Sequence, residues 1–144
     1  MRKSVVILFL TFLTINSLSF SATLSSLNRD QFIKTFVNKT SISIATDNLN
    51  GRTIENTFSM YLDEKGNIIG KMSHKPVNQP QADNGVYSID EDGTAYITWQ
   101  HWDGAKKLCF HAFITNNAYI NVGCDNVFHT AFMKEAIKSG NHLN

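Results

Sequence analysis

The sequence predicts a mainly β domain of short antiparallel strands, arranged as a small barrel or a sandwich. Three observations predict it. Past residue 39, apolar residues recur at alternate positions in successive short runs. Clusters rich in Asp, Asn and Gly separate these runs at hairpin spacing. One run, residues 108–114, is apolar on both faces, as a strand interior to the fold is.

Residues 27–37 (LNRDQFIKTFV) read as a short helix. Asn28 caps it, Gln31 reaches back in a capping box, and Leu27, Phe32 and Phe36 share a face. Residues 40–46 alternate through Ile42 and Ile44, and residues 47–51 form a turn. In residues 53–62, Ile54, Phe58, Met60 and Leu62 share one face, with Thr57, Ser59 and Tyr61 on the other. Asp63-Glu64-Lys65-Gly66 is a hairpin turn, and residues 67–74 return through Ile68, Ile69 and Met72. Residues 75–84 hold both prolines and form the one long loop.

Residues 85–89 and 94–100 are strands about the turn Asp90-Glu91-Asp92-Gly93, the second carrying Tyr96 and Trp99. His101-Trp102-Asp103-Gly104 turns the chain again. Residues 107–115 and 118–124 are strands about Asn116-Asn117. The C-terminal segment has two readings. Val127, Phe128, Ala131, Phe132, Ala136 and Ile137 keep a roughly helical stripe, with Asn126 as cap and Gly140 as stop. Residues 127–133 also read as a strand closing the sheet, and the pattern favours the helix slightly.

The first residues carry a different signal. Met1-Arg2-Lys3 is cationic, Val5 to Leu13 is an apolar core, and small polar residues lead to Ser19-Phe20-Ser21-Ala22. That order suits a signal peptide. The apolar run is shorter than the roughly 20 residues a membrane span needs. The expected division is a signal peptide over 1–22 and a single domain over 23–144, exported to the periplasm or beyond the cell, with no membrane span after signal removal. Losing Arg2 and Lys3 takes the net charge from +1 to −1. The lysines are scattered, so the basic stripe of a nucleic-acid groove is missing and no nucleic-acid partner is expected.

Cys109 and Cys124 lie at equal distances from Asn116-Asn117. With those asparagines at the tip, Phe113 opposes Ile120, His111 opposes Val122, and Cys109 opposes Cys124. Opposed residues on antiparallel strands lie within disulfide reach, and an oxidising compartment favours the bond. A two-residue turn makes the cysteines a hydrogen-bonded pair, and a four-residue tip makes them the closer, non-hydrogen-bonded pair. The expectation is the wider tip or a bulge near Gly123. Leu108, Phe110, Ala112 and Ile114 share one strand face, and Cys109 and Phe113 the other. One face belongs in the core, and the other is expected against the terminal helix or another layer.

Chemistry-bearing motifs are sparse. His74, His101, His111 and His129 lack the close pairing of a zinc motif. His111, in mid-strand on the cysteine face, is the one carried forward. Asp90-Glu91-Asp92-Gly93 lacks the later ligands of a calcium loop and reads as a plain turn. Asn38-Lys39-Thr40 is a glycosylation sequon only in a eukaryotic host. No serine sits in an elbow motif beside a histidine and an orienting acid. No cofactor, metal or catalytic set is expected. Tyr87, Tyr96, Trp99 and Trp102 are expected near one rim, where aromatics line a ligand mouth or simply pack. The ligand-binding candidates are Tyr87, Tyr96, Trp99 and His111.

Several segments carry a family pattern: a short helix before Asn38-Lys39-Thr40, then Tyr61-Leu62-Asp63-Glu64-Lys65-Gly66, Asn84-Gly85-Val86-Tyr87-Ser88-Ile89, Gly93 through Trp99, Cys109, and Gly140-Asn141. In these the chain resembles small exported bacterial proteins of the domain-of-unknown-function family DUF995, which look lipocalin-like. The resemblance spans residues 32–141 and rests on hairpin turns and aromatics. It implies a barrel, with a final strand rather than a helix, and no activity. The family places a cysteine where this chain has Tyr96, so no cysteine pairing carries over. The expected function is a non-enzymatic exported barrel that binds a small apolar or amphipathic ligand or a protein partner. The alternatives are a secreted interaction factor or inhibitor without a small ligand and, behind it, an unrecognised hydrolase built on His111 or His101.

Overall fold

The computed structural model describes residues 24–44, 57–75 and 78–143. The segment read as an export signal, the turn at 47–51 and Ile54 lie outside the described residues.

Eight antiparallel strands close into a barrel. They are β1 (Lys39–Ser43), β2 (Phe58–Leu62), β3 (Asn67–Met72), β4 (Ala82–Ile89), β5 (Ala95–Trp99), β6 (Lys107–Ile114), β7 (Ala118–Gly123) and β8 (Phe128–Ser139). Each pairs with its neighbours in sequence, and β8 pairs with β1 to close the ring. A barrel of eight strands leaves an interior that side chains fill or that holds one small ligand.

Among the described residues one helix precedes the barrel, α1 (Arg29–Phe36). Its capping box is formed: Gln31 N–H donates to Asn28 Oδ1 at 2.9 Å, and Asn28 N–H donates to Gln31 Oε1 at 3.0 Å. Leu27, Phe32 and Phe36 are all buried. Phe36 meets Tyr119 and Phe132 edge-on, with centroids 5.4 and 5.9 Å apart, and Phe32 lies 6.4 Å from Phe110. The helix thus plugs one end of the barrel with two phenylalanines. Residues 25–27 run along β6 beyond the end of β5, with Leu27 N–H donating to the Ala112 carbonyl at 2.7 Å. Gly93, in the β4–β5 turn, makes this path possible. Its φ is +88°, and a Cβ there would lie 1.9 Å from the Leu27 carbonyl oxygen.

Four expectations need correction. Of its two readings the C-terminal segment takes the strand, β8, rather than the slightly favoured helix. A helix would leave β1 and β7 each with an open edge, and β8 satisfies both. The helix-like spacing arises from irregularities in β8. His129 is an extra residue between the Asn121–Thr130 and Val122–Phe128 pairs. On the other edge, Phe132 to Ile137 spans the distance that Ser43 to Ser41 spans in β1. Such bulges spread the apolar residues of a strand to intervals of four and five.

β1 turns its serines inward. Ser41 faces Met60 across the ladder, Ser43 pairs with Phe132, and both serines are buried, while Ile44 is exposed. The large side chains of β2, β8 and α1 fill this side, so β1 contributes small ones. Ser43 Oγ accepts the Phe58 N–H at 2.9 Å. The proline-bearing loop ends earlier than expected, because β4 begins at Ala82. Asp83 is therefore a strand residue.

The β6–β7 hairpin has the expected register, with Phe113 opposite Ile120 and His111 opposite Val122. The Cys109 and Cys124 sulfurs lie at disulfide-bonding distance, with Cα atoms 5.5 Å apart. The tip is narrow rather than wide. Thr115 N–H donates to the Ala118 carbonyl, and Ala118 N–H donates to the Thr115 hydroxyl, both at 2.9 Å. The cysteines are accordingly a hydrogen-bonded pair, with Cys124 N–H donating to the Cys109 carbonyl at 3.1 Å. The bulge lies on the other side of β7, against β8. No second layer of described residues covers the outer face of β6, where Cys109, His111 and Phe113 are half-buried.

An apolar cavity inside the barrel

The barrel end away from α1 is built around two indoles. Trp99 is the last residue of β5, and Trp102 opens the turn Trp102–Ala105. Their rings lie 4.8 Å apart at 57°. Both are buried, and Phe58 meets each edge-on at 6.0 Å. Gly70 on β3 provides the space. A Cβ there would lie 2.4 Å from Trp102 Cζ3 and 2.7 Å from Trp99 Cη2.

Asp83 holds the turn in place. Its side chain is 1% exposed, and its Oδ2 accepts the N–H groups of His101 and Trp102, each at 2.8 Å. Its Oδ1 accepts the Asn84 N–H and lies 2.9 Å from His101 Nδ1. Burial alone would raise the Asp83 pKa. The hydrogen bonds from the His101 ring and from the Trp102, His101 and Asn84 backbones outweigh it and hold the group below the usual carboxylate value. Trp102 Nε1 donates to the Pro80 carbonyl at 2.8 Å. The turn then runs left-handed, with φ of 53°, 64° and 57° at Asp103, Gly104 and Ala105. For the two non-glycines this conformation costs on the order of 1 kcal/mol each, offset by the bonds around Asp83.

Between these groups lies a cavity of about 200 Å³. Phe58, Met60, Ile97, Trp99, Trp102 and Phe110 are among its walls, and Asp103 and His129 are ionisable groups of its described lining. Asn121 lines it too, at an inward position between Ala112 and Thr130. Asn121 is 2% exposed, and its Oδ1 has no hydrogen-bond partner among the described residues. A buried, unpaired acceptor of this kind costs about 1–3 kcal/mol.

The four candidate ligand residues do not meet. Trp99 lines the cavity. Tyr87 sits beside the β2–β3 turn, where its hydroxyl donates to the Asp63 carbonyl. Burial, with Asp63 and Glu64 nearby, pushes its pKa up to about 12. Tyr96 is on the outer face, under Lys107 Nζ at 4.0 Å from the ring centroid. His111 is also outside, with Nδ1 3.4 Å from Thr94 Oγ1 and Nε2 4.0 Å from Cys124 Sγ. Among the described residues no group of three His, Cys, Asp or Glu is placed to hold a metal ion, and no helix is long and apolar enough to cross a membrane.

Three residues that make the cavity were not among the site candidates. Asn121 had a signal in the sequence, since the mirror rule of the hairpin pairs it with core-facing Ala112. Gly70 and Asp83 had none, because their roles depend on where Trp102 lands. Searches of protein-family models, curated proteins and solved structures find no match to this chain.

Proposed function

We propose that this chain is an exported, non-enzymatic barrel that holds a small apolar ligand in its interior. The observation that carries the reading is the apolar cavity of about 200 Å³ beside the Trp99–Trp102 pair. An apolar cavity of ~150 Å³ accepts a benzene ring, so this one suits a single substituted ring or a short branched chain. Export is supported by the cationic start and apolar run of residues 1–22 and agrees with the cysteine pair.

Ligand binding raises stability in proportion to the logarithm of occupancy. Toluene titrated against the purified chain should therefore raise its melting temperature progressively. No shift with toluene or with other small rings would remove the reading. Export is tested by the mass of the mature protein from periplasm or medium, which should lack residues 1 to about 22.

A second reading, a secreted interaction factor, is favoured by Val127 and Phe128. They are 56% and 46% exposed side by side at the β7–β8 turn.

A further inference from the structure

The chemistry of the cavity narrows its ligand, and the inference rests on the interior-ligand reading above. We propose that the occupant is a small, neutral, aromatic molecule carrying one hydroxyl, which hydrogen-bonds the Asn121 amide. Three features of the lining lead there.

The first is the Asn121 amide itself. Its Oδ1 is buried without a partner among the described residues, in a cavity whose other walls are mostly apolar. A side-chain amide offers an acceptor and a donor on one edge, and a hydroxyl both donates and accepts, so the two are complementary. Pairing removes the penalty of the orphaned acceptor, and a purely hydrocarbon ligand leaves it in place.

The second is charge. Among the described residues no lysine or arginine lines the cavity, and Asp103 stands among its lining groups. An anionic ligand would be desolvated without a fixed cationic partner and would face a carboxylate. Among the described lining residues His129 is the one able to carry positive charge, and it is solvent-exposed. A neutral ligand fits this set and a carboxylate does not.

The third is the wall. Phe58, Trp99 and Trp102 present ring faces and edges at mutual angles of 57° to 90°. Met60 and Met72 add polarisable thioethers. Aromatic rings gain from both surfaces beyond simple burial. The volume limits the ligand to about one ring with small substituents.

The chain contains two tryptophans, and both line this cavity. Intrinsic indole fluorescence therefore reports on this site alone. The experiment titrates the full mature chain with p-cresol, toluene and benzoate, exciting at the red edge of the indole band, with calorimetry as a second readout. The expected result is p-cresol binding about tenfold or more tighter than toluene, with benzoate weakest. Asn121→Leu keeps the side-chain shape and should retain toluene binding while losing the p-cresol preference. Asn121→Ala serves the same comparison if the leucine variant does not fold.

Equal affinity for p-cresol and toluene, or a preference that survives loss of the amide, would overturn the hydroxyl assignment and leave the apolar-cavity reading standing. Benzoate binding as tightly as p-cresol would overturn neutrality. Binding of none of the three would overturn both the inference and the reading beneath it.

Discussion

Asp83 holds Trp102 by its backbone: the carboxylate Oδ2 takes the Trp102 N–H at 2.8 Å while the indole lies over Gly70. One acidic group thus fixes both the turn and the position of a cavity wall. Asp83→Ala leaves the part-buried His101 N–H and the buried Trp102 N–H without their acceptor. It should destabilise by about 2–4 kcal/mol, in the range of broken buried charged hydrogen bonds. Urea unfolding followed by tryptophan fluorescence measures it. An unchanged midpoint would show that the turn stands without Asp83.

The space over Gly70 gives a second expectation. Gly70→Ala puts a methyl carbon against two indole rings, which must shift toward the cavity they line. The change should destabilise by about 1–3 kcal/mol, the usual range for overpacking, and should reduce toluene binding by displacing Trp102 toward the cavity. If toluene binding is unchanged at full folding, the indoles do not wall the site.

Much of this was legible in the sequence, and the reasons differ by element. The capping box at Asn28 and the apolar face of Phe32 and Phe36 are local patterns, and they fold as written. The β6–β7 register follows from symmetry about Asn116-Asn117. β8 was obscured because its bulges turn a period of two into intervals of four and five. β1 was obscured because its inward side chains are small by complementarity to Met60 and Phe132, which no reading of β1 alone contains. The cavity was half-legible. Trp99 and Trp102 were grouped correctly, but Tyr87 and Tyr96 belong to other faces.

Acid should weaken the fold through Asp63 and Asp83. Asp63 accepts the N–H groups of Lys65 and Asn67 at 2.8 and 2.7 Å and the Asn67 side chain at 2.7 Å. Burial opposes its ionisation, yet these bonds and the nearby Lys65 charge hold its pKa below the usual value. For a carboxyl depressed in the folded state, the stabilisation is complete above the unfolded pKa of about 4. It is lost as pH falls through the folded value. Chemical denaturation at a series of pH values below about 5 should show a falling midpoint, and Asp83→Asn should flatten that dependence.

Alkali acts through Tyr87 in the opposite sense. Its pKa is about 12 in the folded chain against about 10 unfolded. The folded state holds the proton longer, so this contribution is present below about pH 10 and disappears by about pH 12. Tyr96 is raised as well, by its hydrogen bond to Asp90 and that group's charge, so ultraviolet titration should show the Tyr87 tyrosinate forming last, and Tyr87→Phe should remove that last step.

The cysteine pair predicts a mass two hydrogens below that of the dithiol chain. Replacing both cysteines with serine should cost roughly 3 kcal/mol, the chain-entropy value for a loop of this length. A native mass without the deficit would mean that the sulfurs are not bonded.

The closure of the barrel has a kinetic consequence. Seven of the eight strand pairings join neighbours in sequence, and only β1 with β8 joins distant parts of the chain. There Thr40 Oγ1 donates to the Gly140 carbonyl across 100 residues at 2.8 Å. Local hairpins form at little loop entropy, and the long-range seam waits for all of them. The β1–β8 seam is therefore where amide exchange should first report opening of the folded chain. Because the same seam brings both ends of the barrel together, a circular permutant joined there and opened at Asn116-Asn117 should retain the ring of strands.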